Sequence, residues 1–339
     1  MQLTHRRLTL NYRHAFGISR GSATQTTSVL VELRAGDLVG LGEAIPFRFL
    51  GWPIELVEDA LDGLARRLAP LDLQPPLSLA ETLRAAEGEV RPALGAVSSA
   101  LWDLWGQHLG QPVWRLLGLD AAAAGQTCMT IGLADHETML AKADEAAEFP
   151  ILKVKCGGPQ DLATVRALAA RTGKRMWVDA NGGWEVEQAA DLAGELASLG
   201  VEMIEQPVVS GDGDAERLAA VRAVSPVPIV ADESCAGPAD VARLAGCVDG
   251  VNLKLDKIGG ISAGLLATGA ARCAGLGVMY GGFGSSSVSI TATAQLAPLA
   301  DWCDLDGALL TADDPYHGVE LAGGQIALSA APGLGLRLR

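Results

Sequence analysis

The chain has 339 residues, 49% of them hydrophobic, enough for one large core and a smaller second domain. A net charge of −14 without any basic cluster disfavours a nucleic-acid partner. There is no secretory apolar region, no bilayer-length apolar run and no C-x-x-C pair among six scattered cysteines. These features predict a cytoplasmic protein with reduced thiols and no membrane partner. The pattern is compatible with a homo-oligomer.

The stretches "LTHRRLTLNYRH", "TTSVLVELRAG" and "VGLGEAIP" alternate as three antiparallel strands, and "WPIELVEDALDGLARRLAPL" follows as an amphipathic helix. Further helices are expected from about Ser78 to Glu87 and from Ala93 to Leu117, stopping at Gly118. Residues 1–120 thus read as a small α+β domain. From Gly125 onward short apolar runs recur: "QTCMTIG", "ILKVKCGG", "RMWVDANGG", "EMIEQPV", "PIVADES", "GVNLKLDK", "GVMYGGFG" and "DWCDLDG". They are spaced by about 25 residues, with Ala/Leu-rich helical segments between them. This pattern predicts a (β/α)8-type TIM barrel over residues 121–321. The form is modified to (β/α)7β, because "GGQIALSAAPGLGL" after the eighth strand alternates like a strand. Residues 322–339 are expected to return to the first domain, which then caps the barrel. A doubly wound open sheet is the alternative, but it rarely needs eight equal units.

Barrel enzymes work at the C-terminal ends of their strands. Here those ends carry Lys153 and Lys155, Asp179 and Asn181, Glu205, Asp232 with Glu233, Lys254, and Asp304 with Asp306. One such Asp alone reads as a helix cap, and one such Lys as a snorkelling surface residue. Charge at five consecutive strand ends does not, because burying unpaired charge is costly. A divalent cation among Asp179, Glu205 and Asp232 resolves this, and an all-oxygen donor set favours Mg²⁺, with Mn²⁺ as a plausible substitute. Lys153 and Lys155, about 7 Å apart on one strand face, repel by roughly 2.4 kcal/mol at an effective dielectric of about 20. That pulls Lys155 toward the neutral form a general base requires. Lys254, four strands further round, faces it, so a proton can leave one side of a carbon and return to the other. The carbanion beside a carboxylate is an enediolate, whose second charge a metal stabilises.

With "KVK", "VDANGGW", "IEQP", "ADES" and "NLKLDKIGG" on successive strands, the chain resembles the enolase superfamily in its muconate-cycloisomerase-like branch. Lysine-plus-Mg²⁺ chemistry is a known pattern of that superfamily. The resemblance implies Mg²⁺ on Asp179, Glu205 and Asp232, an acid/base pair of Lys155 and Lys254, and Lys153 tuning Lys155 and touching the substrate carboxylate. Within the branch, "DLDG" resembles the Asp-x-Asp of dipeptide epimerases of the L-Ala-D/L-Glu kind, enzymes of murein peptide metabolism. This implies epimerisation of a dipeptide at its C-terminal residue, with Asp304 and Asp306 meeting the substrate ammonium. It also implies that Arg20, in "ISRGS", meets an acidic side chain and that Thr130 lines the same pocket. Ser285 stands where many relatives carry Glu. Competing expectations are an N-acylamino-acid racemase, an o-succinylbenzoate synthase or a muconate-type cycloisomerase, none of whose substrates offers an ammonium group. A Schiff-base aldolase barrel and a non-catalytic binding barrel lie further off.

Overall fold

The computed structural model describes residues 1–79 and 90–339. The helix expected from Ser78 to Glu87 lies almost wholly outside the described residues. Strands β1 (Gln2–Ile18), β2 (Gly21–Ala35) and β3 (Leu38–Ala44) form an antiparallel sheet in chain order. Helix α1 (Ile54–Leu68) buries Val57, Leu61, Leu64 and Leu68, spaced three to four apart, in a core shared with Val29, Val31 and Leu33. Helix α2 (Arg91–Leu109) lies across the same sheet. Gly40 and Gly42 permit this, since a Cβ on either would collide with the carbonyl oxygens of Ala100 and Ala96. The helix expected to run from Ala93 to Leu117 stops at Leu109, where Gly110 turns left-handed at φ 64° and Pro112 follows. The apolar period continues past Gly110 only as a single turn, Val113–Leu116.

Eight parallel strands follow: β4 (Met129–Ile131), β5 (Ile151–Lys155), β6 (Arg175–Asp179), β7 (Val201–Glu205), β8 (Ile229–Ala231), β9 (Gly250–Leu253), β10 (Gly277–Gly281) and β11 (Trp302–Asp304). Each pairs with its chain neighbour. A bridge between Thr127 and Cys303, with Cys128 N–H donating to Cys303 O at 3.2 Å, joins the first strand to the eighth. The expected barrel is therefore present. Its floor is an apolar layer of Cys128, Ile151, Trp177, Met203, Val230 and Met279. Side chains alternate along a strand, so the next inward positions on β5 to β7, and just beyond β8, are Lys153, Asp179, Glu205 and Asp232. The charged layer rests directly on the apolar one.

Three anchors fix the N-terminal domain to the barrel mouth, two from the end of its sheet and one from α2. Glu43, at the end of β3, accepts from Ser286 Oγ at 2.5 Å and Ser289 N–H at 3.2 Å, at the start of helix Ser287–Ala294. Asp256, just after β9, accepts from Ile45 N–H at 2.8 Å. Trp102 of α2 donates to Ser262 at 3.0 Å. The C-terminal tail also meets α2: Leu334 N–H donates to Asp103 at 2.8 Å, and Gly333 pairs with Gln111 and Val113. All six cysteines are free thiols. Among the described residues, no helix is long and apolar enough to cross a membrane.

Candidate active site

Parallel register aligns the ends of neighbouring strands. Lys155 pairs with Asp179 and Asp179 with Glu205, while Asp232 follows β8 by one residue. The carboxylates of Asp179, Glu205 and Asp232 therefore converge, with one oxygen from each inside 4.8 Å of the others. All three are buried. Glu205 Oε2 lies 2.7 Å from Lys153 Nζ, yet it is out of hydrogen-bond alignment and has no hydrogen-bond partner. An oxygen-only donor set that includes a buried oxygen making no hydrogen bond fits a hard divalent cation such as Mg²⁺.

Electrostatics separates the three acids. Burial works against charge on Asp179, but Lys155 and Lys153 outweigh it and hold the carboxyl down at about 2. Burial, and then the charge of Asp179, pushes Glu205 up to about 7. Asp232 stays well below the usual range, because Lys254 and Lys257 overcome its desolvation.

Lys153 is fully buried under the cavity, 2.6 Å from Asp304, 2.7 Å from Glu205 and 3.1 Å from Asp179. Burial opposes its charge, but these carboxylates hold its pKa well above the ordinary range. Lys155 Nζ donates to Asp179 Oδ2 at 2.5 Å. The two lysines do point one way, as the strand period predicts, but the expected repulsion between them is not what either feels alone. The Asp179 carboxylate touches both ammonium groups and offsets it. Lys254 Nζ donates to Asp232 Oδ2 at 2.9 Å, and Asp232, Glu205 and Asp304 more than offset the burial that would lower its pKa.

A cavity of about 410 Å³ opens above this layer. Lys155, Asp232, Lys254, Thr130, Asp304 and Asp306 line its base, and Arg20, Phe16 and Phe47 line its upper wall. Asp306 Oδ2 accepts from Thr130 N–H at 2.5 Å, and Thr130 Oγ1 lies 3.5 Å from Asp304 Oδ1. Burial, followed by the charge of Asp304, pushes Asp306 up to about 7. Arg20 sits in the two-residue tip of the long β1–β2 hairpin, where Ile18 pairs with Gly21. Its guanidinium donates to Glu233 at 2.6 Å and to Asn181 O at 2.8 Å, and it lies over the Phe49 ring at 4.6 Å. Ser285 is buried, and its hydroxyl donates to Phe283 O at 3.1 Å.

Sequence reasoning missed several supporting groups. Lys257 is buried and donates to Asp232 Oδ1, to Asp232 O at 2.5 Å and to Asn252 O at 3.1 Å. The helical turn Leu255–Ile258 carries it there, and in the sequence it reads as an ordinary turn lysine. Asn252 donates to Glu205 Oε1 at 2.8 Å. Gln206 Oε1 accepts from Asp232 N–H at 2.9 Å and Ser234 N–H at 3.2 Å. Gln206 and Asn181 adopt φ of 36° and 45°, uncommon for residues other than glycine, and both directly flank the acidic cluster.

A capped parallel barrel with three acids at its mouth between two lysines brings together the groups that a metal-assisted proton transfer would need. Residues 3–118 match the mandelate racemase/muconate lactonizing enzyme N-terminal domain, and residues 138–339 match the enolase C-terminal domain-like family. The chain belongs to this family, as its motifs suggest. It is 36% identical to the L-Ala-D/L-Glu epimerase of Bacteroides thetaiotaomicron over 99% of this chain and 88% of the relative. It is 33% identical to an L-Ala-D/L-amino acid epimerase of a Maribacter species, over 100% of this chain and 99% of the relative. The solved dipeptide epimerase of Cytophaga hutchinsonii, complexed with Mg and D-Ala-L-Val, superposes with a TM-score of 0.91 at 28% identity, covering 100% of this chain and 96% of that one.

Proposed function

We propose that this chain is an isomerase that epimerises dipeptides at the α-carbon of the C-terminal residue, using Lys155 and Lys254 as the two bases. One observation carries this reading. Both lysines line one cavity from β5 and from the end of β9, and the acids from β6, β7 and β8 stand between them. A substrate α-carbon held there has one lysine on each side. The neutral lysine takes the α-proton, leaving an enediolate, and the protonated lysine opposite returns a proton to the other face. Asp179, Glu205 and Asp232 would hold Mg²⁺, which supplies positive charge to the substrate carboxylate as negative charge builds there. Lys257, Asn252 and Gln206 hold those acids in place.

On the β4 and β11 side of the same cavity base, Asp304 and Asp306 would meet an ammonium group, which a free dipeptide has and an N-acylated amino acid lacks. That polarity favours the dipeptide over the acylamino-acid racemase and cycloisomerase alternatives. In the L-Ala-D/L-Glu form of the reading, which belongs to murein peptide metabolism, Arg20 pairs with the acidic C-terminal side chain. A second reading has its own support: Arg20 is already neutralised by Glu233, and Phe16, Phe47 and Leu310 make the nearby wall apolar. In that case the preferred C-terminal residue is apolar.

The test is a panel of L,L-dipeptides in D₂O with Mg²⁺, followed by mass spectrometry and chiral analysis. The proposal expects one deuterium at the C-terminal α-carbon together with the L,D product, both abolished by EDTA and restored by Mg²⁺. Full turnover in EDTA, or label in the N-terminal residue, contradicts it.

A further inference from the structure

We infer that Phe283 is a positioning residue for one of the two lysines only: its ring holds the Lys254 ammonium in place, and Phe47 from the capping half braces that ring. The inference rests on the two-base reading proposed above. Lys254 Nζ lies 4.5 Å from the centre of the Phe283 ring, on a flexible four-carbon stem whose carboxylate partner is Asp232. A carboxylate alone leaves such a stem several rotamers. A ring face added as a second point of attraction fixes where the nitrogen sits. Lys155 has no counterpart, since no aromatic ring underlies its ammonium among the described residues.

Phe283 is itself held firmly. Its carbonyl accepts from Ser285, and its backbone passes so close to Gly307 that a Cβ there would strike the Phe283 carbonyl. Its ring packs on Phe47 with centroids 4.8 Å apart. Phe47 exchanges two backbone hydrogen bonds with Trp52, at 2.9 and 3.1 Å, which fold the segment that carries it. That segment begins at Ile45, tied to Asp256 at 2.8 Å, two residues beyond Lys254. The ring pair thus links the capping half to Lys254.

The Mg²⁺-loaded enzyme with saturating dipeptide in D₂O provides the test, read as initial α-proton exchange of the L,L and L,D isomers separately. Lys155→Ala and Lys254→Ala first establish which isomer each lysine serves. Phe283→Leu is then expected to slow exchange of the isomer served by Lys254 about tenfold and the other by less than about twofold. Phe283→Tyr, which keeps the ring, is expected to restore the wild-type ratio. If the leucine variant does not fold, phenylalanines of increasing fluorination at position 283 keep the shape and weaken the ring face. The same isomer should then slow stepwise. Equal slowing of both isomers by Phe283→Leu, or a flat response to fluorination, overturns the inference and leaves the two-base reading intact. Failure of the two lysine variants to separate the isomers overturns both.

Discussion

Replacing Asp306 by Asn deletes one charge while keeping an oxygen for the Thr130 N–H, now accepted at 2.5 Å. An ammonium about 3 Å from the Asp306 carboxylate gains roughly 5.5 kcal/mol of Coulomb energy at an effective dielectric of about 20. Desolvation offsets most of that, and a charged hydrogen bond nets about 1.5–3 kcal/mol. Asp304 compensates little, because Lys153 already holds it at 2.6 Å. KM for a free dipeptide should therefore rise about 10–150-fold in Asp306→Asn. For the N-acetylated dipeptide, which has no ammonium, the same substitution should change KM by less than about threefold. Steady-state kinetics of two enzymes on two substrates complete the cycle. Equal effects on both substrates would refute the assignment of Asp306 to the ammonium. An N-acylated amino acid that outperforms the free dipeptide would replace the dipeptide reading with the acylamino-acid racemase.

Because Asp306 is pushed up to about 7 by burial and then by Asp304, it is protonated on the acid side and ionised above. An ammonium binds the ionised form, so KM for free dipeptides should fall as pH rises through about 7, and Asp306→Asn should flatten that profile. Arg20→Ala should raise KM for L-Ala-L-Glu far more than for L-Ala-L-Val if Arg20 meets an acidic side chain. Equal effects in the kinetics of the two substrates favour the apolar reading. Lys257→Met should destabilise the metal-free protein by about 3–5 kcal/mol in urea unfolding, since it strips the buried Asp232 of its closest cation. Added Mg²⁺ should recover part of that loss, and an unchanged midpoint would show that Asp232 does not need Lys257.

Much of the barrel is legible because six of its eight strands are short apolar runs with a charged residue at the end or one position past it, β4 and β10 being the exceptions, and period-two alternation then dictates which residues face inward. Asp179, Glu205 and Asp232 stand out for that reason: an acid directly after a buried run, repeated on three successive strands, demands a cation to balance it. Apolar spacing overextends helix α2, because it continues across Gly110 and Pro112 and only their backbone preferences end the helix. The Lys153–Lys155 pair shows a limit of counting like charges along one strand. The balancing carboxylate comes from β6, and its position depends on register. Lys257 stays hidden because a buried lysine and a surface turn lysine look alike until the turn Leu255–Ile258 is built. Phe283 stays hidden because "GGFGSSS" contains no charged residue. The pairing of Arg20 with Glu233 joins residues 213 apart in the chain, and no local pattern announces it.

In the two-base proposal, Lys155 and Lys254 serve opposite faces of one carbon. It is tested most directly by following α-proton exchange of the L,L and L,D dipeptides in D₂O with Lys155→Ala and Lys254→Ala, both loaded with Mg²⁺. Neither variant should interconvert the isomers. Each should still exchange the α-proton of one isomer, and the two variants should retain opposite isomers. Complete exchange of both isomers by either variant, or retained epimerisation with one lysine removed, would contradict the two-base account.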